Sequence, residues 1–205
     1  YGFLSVGAAV LDTDNRVDSN NINHGNSVSL DGFDEESGNF KQDAIFGLQI
    51  TKQVNDKTSA TGQLVSRGGS NYNQEAAWAF VTYNATKEIG LRMGRLRIPF
   101  FYYSEFLEVG YAYNWVRTPS DVYSLPFSSF DGVDITKRFS FGKFDGSIKL
   151  NYGRFSETID LYGDDYEADL TNIVGIVADL NRGDFGFRLS AQQAEVSFDM
   201  DTSEG

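Results

Sequence analysis

The sequence predicts an all-β protein, an antiparallel sheet built to cross a lipid bilayer as a transmembrane barrel. Three observations predict it. Segments of about ten residues alternate apolar and polar side chains, the period of a strand with two unlike faces. That length matches the roughly 9–11 residues a tilted strand needs to cross hydrocarbon. The connections sort by parity, long at one end of the strands and short at the other, as barrel rims do.

Composition agrees. The chain has 205 residues, enough for one domain, and no run of 18 apolar residues, so no transmembrane helix is expected. Mean hydropathy is negative, which a barrel tolerates because half of each strand is polar. There are 17 Phe, 11 Tyr and 21 Gly against 3 Pro. Strands favour aromatic residues, and a barrel needs them where its wall crosses the membrane interfaces. With no Cys, a disulfide framework, a thiolate metal site and a Cys nucleophile are excluded. A net charge of −12 argues against nucleic acid as a partner.

The first strand falls in Tyr1–Leu11, with Leu4, Val6, Ala8 and Val10 on one face. Residues 12–43 are polar and acidic, with no periodic face, and read as a long outer loop. Ala44–Thr51 sets Phe46, Leu48 and Ile50 against Gly47, Gln49 and Thr51, and Asn55-Asp56-Lys57 turns the chain. Ser59–Arg67 and Ala76–Asn84 follow around a loop at 68–75. The facing of the second of these is ambiguous. A short turn at 86–90 leads into Leu91–Ile98, which Pro99 ends because it has no N–H to give a ladder. Residues 99–131 are a second long connection, aromatic where the first is acidic. Gly132–Phe139 and Ser147–Phe155 flank a turn near Lys143–Asp145. An acidic connection at 156–171 is expected before Asn172–Leu180. Asn181-Arg182-Gly183-Asp184 is a hairpin signal, and Phe185–Val196 closes the series.

That makes about nine strands. Bacterial single-chain barrels use an even number. Nine strands at about 22 residues each therefore read as the N-terminal part of a larger barrel; 16 strands would need roughly 350 residues. The first strand would run outward, with the turns near 55, 87, 144 and 183 on the periplasmic rim.

The stretch RMGRLRIPFFYYSEFLEVGYAYNWVRTPSDVY at 92–123, followed by PFSSFDGVD at 126–134, resembles porin-like outer-membrane proteins of Gram-negative bacteria, of the general porin type. GLQIT at 47–51 and AFVTYN at 79–84 look like the same family's second and fourth strands. The resemblance covers most of 40–140. It implies a 16-stranded channel, a homotrimer, and surroundings of outer-membrane lipid and lipopolysaccharide. It also implies that the third outer loop folds inward, the place that 99–131 occupies by strand count. The family's terminal strand ending in an aromatic residue is absent here.

Charge placement supplies candidate site residues. Arg95 and Arg97 sit two apart and share a face. An Arg facing mid-bilayer lipid costs about 2–4 kcal/mol, so both are expected inward, with Leu96 and Ile98 toward lipid. Arg67, Arg138, Lys149 and Arg188 fall on the polar faces of their strands. Glu105, Glu108 and Asp121 lie in the inward-loop segment. Opposed charges across a constriction would set up a transverse field; alternatively, the arginines pair with loop acids and fasten the loop. Leu48, Ile50, Val133, Ile135, Ile148, Leu150, Ile176 and Phe187 are expected toward lipid or a neighbouring subunit. Gln49, Thr51, Asp134, Lys149 and Arg188 are expected inward.

Other chemistry reads weakly. Tyr102, Tyr103, Tyr111, Tyr113, Trp115 and Tyr123 suit packing of the loop better than sugar stacking. The acidic clusters at 31–36 and 160–169 lack the EF-hand spacing and read as solvated loops. His24 is the single histidine and stands in a polar loop, so no enzyme, metal or cofactor is expected. The expected function is passive diffusion of small hydrophilic solutes. The rivals are a surface structural or binding protein meeting a phage or matrix partner, and a soluble β-sandwich that binds carbohydrate.

Overall fold

The computed structural model describes residues 2–7, 44–68, 71–106, 128–161 and 164–199. These residues form one antiparallel sheet of nine strands in chain order. The strands are β1 (Gly2–Ser5), β2 (Ile45–Asn55), β3 (Thr58–Arg67), β4 (Gln74–Asn84), β5 (Ile89–Arg97), β6 (Ser129–Phe141), β7 (Phe144–Leu161), β8 (Asp164–Arg182) and β9 (Phe185–Asp199). The sheet is open: the order ends at β1 and β9, which do not pair with each other. No helix of the described residues is long and apolar enough to cross a membrane.

The expected strand count stands, and each short turn has a local cause. Asn55 Oδ1 accepts from Lys57 N at 2.9 Å. Thr86 Oγ1 accepts from Glu88 N at 3.1 Å and Ile89 N at 3.0 Å. The β6–β7 and β8–β9 turns begin on Gly142 and Gly183, both at positive φ (59° and 57°) that glycine adopts freely. The expected loop before β8 is absent among the described residues. The acidic stretch at 156–171 is not a loop, because β7 and β8 continue through it and pair from Ser156↔Asp169 to Leu161↔Asp164. A bulge on β8 near Asn172, which takes φ 51°, absorbs the register shift on both sides.

The chain divides into two units, residues 1–48 with 64–75, and residues 49–63 with 76–205. In the first, β1 pairs with the start of β2. The Phe3 ring lies across Gly47, where any added side chain would collide with it. Gly68 N donates to Ala44 O at 2.8 Å, and Arg67 pairs with Glu75. Leu4, Val6, Phe46, Leu48 and Leu64 are exposed.

In the second unit the two faces differ sharply. Ile50, Val81, Leu91, Met93, Ile135, Ile148, Leu150, Val174, Ile176, Phe187 and Leu189 are all exposed, and alternation puts them on one side. Polar Gln49, Gln63, Asp134 and Asn151 are buried on the other. The pairing is inverted relative to a water-soluble sheet, which buries its apolar side. The polar side is concave, since Leu96 and Ile98 at the end of β5 pack with Phe130, Phe155, Leu170 and Ile173, and Ala194 of β9 joins them. Phe80 also packs there, which settles the facing of β4.

Candidate functional site: a fastened segment over a charged recess

Past β5 the chain turns onto the concave face. Phe101 N donates to Ser104 Oγ at 2.9 Å, closing a tight bend that ends in a short 3-10 turn, Ser104–Phe106. Two groups on β9 hold the bend's backbone. Ser190 Oγ donates to Phe100 O at 2.8 Å, and Arg188 Nη1 donates to Phe101 O at 3.0 Å. The Arg188 guanidinium also lies 5.3 Å from the centre of the Tyr102 ring. Asp179 on β8 fixes that guanidinium through a two-pronged pair at 2.6 and 3.1 Å.

Glu105 makes the second attachment. Its Oε1 accepts from Lys149 Nζ at 2.7 Å and from Arg92 Nη2 at 2.9 Å. Arg92 in turn grips Asp134, the residue opposite it on β6, through Nε and Nη2 at distances as short as 2.5 Å. It also lies over the Phe80 ring at 5.3 Å. Burial alone would raise the Glu105 pKa, but Lys149 and Arg92 outweigh it and hold the carboxyl down at about 2.

Beneath this latch lies a polar recess of about 250 Å³. Four cations line it, Arg92, Arg138, Lys149 and Arg188, with three carboxylates, Glu105, Asp134 and Asp179. Thr82, Asn84, Thr136 and Ser147 supply the neutral polar wall.

Of the sequence-derived candidates, Glu105, Arg138, Lys149 and Arg188 come together here, with Asp134. Arg67 belongs to the first unit, where it pairs with Glu75. Glu108 and Asp121 fall outside the described residues, as does the outer loop at 12–43. Arg95 and Arg97 are a correction. The β5–β6 register runs without a shift, so alternation from Leu91 and Met93 carries both onto the apolar side. There Arg95 meets Asp131 at 3.2 Å, and Arg97 is buried. Leu96 and Ile98 are instead buried in the cluster under the loop's root. The residue the charge argument overlooked is Arg92, and the alternation of Leu91 and Met93 around it was the available signal.

The site offers fixed charge and hydrogen-bonding groups along a wall. Among the described residues no cluster of three or more His, Cys, Asp or Glu stands where it could hold a metal ion. No family model, no curated protein and no solved structure matches this chain.

Proposed function

We propose that this chain forms part of the wall of an outer-membrane porin. In this reading the nine strands belong to a 16-stranded transmembrane barrel of the general porin type, assembled as a homotrimer in outer-membrane lipid and lipopolysaccharide. Small hydrophilic solutes diffuse through its lumen, past a constriction that begins with Phe100–Phe106. The observation that carries the reading is the inverted sheet: apolar side chains stand exposed along one face, while ion pairs and buried amides occupy the other. Lipid is the solvent that makes such an arrangement favourable.

The dimensions support it. Phe139, Phe141 and Phe144 stack near a short turn, with centroids 6.3 and 5.3 Å apart. From Phe144 to Arg154 is ten residues, about 33 Å along the strand, which a tilt of roughly 40° reduces to about 25 Å, the height of a barrel's apolar band. Arg95, Asp131 and Arg154 then lie near its upper boundary, where a cation costs only about 0–1 kcal/mol.

A second reading has its own observation. The cluster of Leu96, Ile98, Phe130, Phe155, Leu170 and Ile173 fills part of the concave face, as side chains fill small barrels. That favours a surface structural or binding protein over a wide channel. Reconstitution of the full-length protein in planar bilayers separates the two. The porin reading expects stepwise, ohmic conductance. Detergent-dependent folded protein without conductance would support the structural role, and folding without detergent would refute both.

A further inference from the structure

We infer that Arg138 is the anion-binding group of the channel, forming with its neutral neighbours a subsite for small oxyanions such as carboxylates and phosphate. The inference rests on the porin reading and adds a solute class to it. The argument is one of accounting for charge within the recess. Each carboxylate there is already engaged: Asp134 by Arg92, Glu105 by Arg92 and Lys149, and Asp179 by Arg188. Three of the four cations are consumed in those pairs. Among the described residues, Arg138 has no carboxylate within ion-pair distance, and its backbone alone is engaged, N donating to Glu88 O at 2.8 Å.

Its placement is also specific. The Arg138 guanidinium extends over Gly90, where an added Cβ would stand 3.9 Å from Nη1 and 3.3 Å from Asn84 Oδ1. The small residue clears a floor on which the guanidinium lies beside Asn84 and Thr136, the two residues opposite Gly90 on the flanking strands. An oxyanion on Arg138 would receive a two-pronged guanidinium contact and find the hydroxyls of Thr82 and Thr136 lining the same recess, while that of Ser147 already donates to Asp179 Oδ2 at 3.4 Å. Asp134, Asp179 and Glu105 line it too, but their charges are turned to their own partners.

The neighbouring residue supplies a matched control. Lys137 carries the same charge one position away, and alternation sets it on the apolar side. The experiment compares Arg138→Gln with Lys137→Gln in the full-length protein. Reversal potential is read in planar bilayers under a potassium chloride gradient, with and without inorganic phosphate. Arg138→Gln should lower the anion-to-cation permeability ratio about twofold to fivefold, the range for one unit charge acting through water over roughly 4–8 Å. It should also abolish the reduction of chloride current by phosphate. Lys137→Gln should leave both unchanged. Equal shifts in the two variants, or a conducting Arg138→Gln channel with wild-type selectivity and phosphate response, overturn the inference. Phosphorus-31 line broadening of inorganic phosphate by detergent-solubilised protein needs no channel. Broadening lost only in Arg138→Gln, in a protein that fails to conduct, sustains the subsite and sinks the porin reading; broadening unaffected by Arg138→Gln sinks the subsite.

Discussion

Replacing Glu105 with Gln removes one charge and keeps the side chain's size, so it isolates the latch. The carboxylate serves two cations at once, at 2.7 and 2.9 Å, and its side chain is 27% exposed. A pKa held at about 2, against an ordinary 4.5, corresponds to about 3 kcal/mol of preference for the charged form. Gln retains one amide oxygen as an acceptor, so the expected loss is about 1–3 kcal/mol. That raises the detached population of the segment roughly fivefold to 150-fold. Hydrogen exchange of the Phe101–Phe106 amides reads it directly in detergent, without reference to conductance. The pH dependence has a definite sign. Because the folded-state pKa is lowered, the latch is fully formed above about 4.5 and is lost as pH falls toward about 2. Wild-type exchange should therefore rise across that window, and Glu105→Gln should already be fast and should vary little there beyond the intrinsic exchange rate. Wild-type protection in the variant at pH 7 would refute the latch.

Three further outcomes follow from the same geometry. Arg188→Ala strips Phe101 O of its donor and Asp179 of its cation; a loss of about 1–3 kcal/mol should speed exchange at 100–103 while Glu105 still holds the far end. Gly94 sits at φ 133°, and an added Cβ would lie 2.2 Å from Ala79 O; Gly94→Ala should lower stability to denaturant by at least about 1–3 kcal/mol, and an unchanged midpoint would contradict the register there. On whole cells, Cys at Ser156 should react with an impermeant maleimide while Cys at Lys143 should not, because Lys143 sits in the turn before β7 and Ser156 lies toward the other end of that strand; the reverse pattern would invert the topology.

Much of the fold was legible because period-two alternation is a local signal. Leu48/Gln49/Ile50 and Asp134/Ile135 declare their faces without help from distant residues. The turns were legible for the same reason, since Asn55, Gly142 and Gly183 carry their own geometry. The acidic hairpin at 156–169 was missed because charge reads as loop, whereas the pairing from Ser156↔Asp169 to Leu161↔Asp164 is a backbone ladder that acidic side chains do not forbid. The Arg95 and Arg97 error came from ranking charge cost above alternation. Asp131, 36 residues away, pairs with Arg95 on that side, a partner that no local pattern reveals. Leu96 and Ile98 read as lipid-facing because their actual cover comes from Phe130, Phe155 and Leu170, which no local pattern reveals. Arg188 was legible as an inward cation, but its two backbone acceptors, 86 and 87 residues away, were not.

The central claim is that the polar face lines a water-filled path. The chain has no cysteine, so single Cys substitutions at Thr136 and Ile135, read by planar-bilayer current, test it on a silent background. A charged, membrane-impermeant methanethiosulfonate should reduce current through the Thr136→Cys channel and leave Ile135→Cys unaltered. Block at Ile135→Cys, or none at Thr136→Cys once mass spectrometry confirms its modification, would contradict the account.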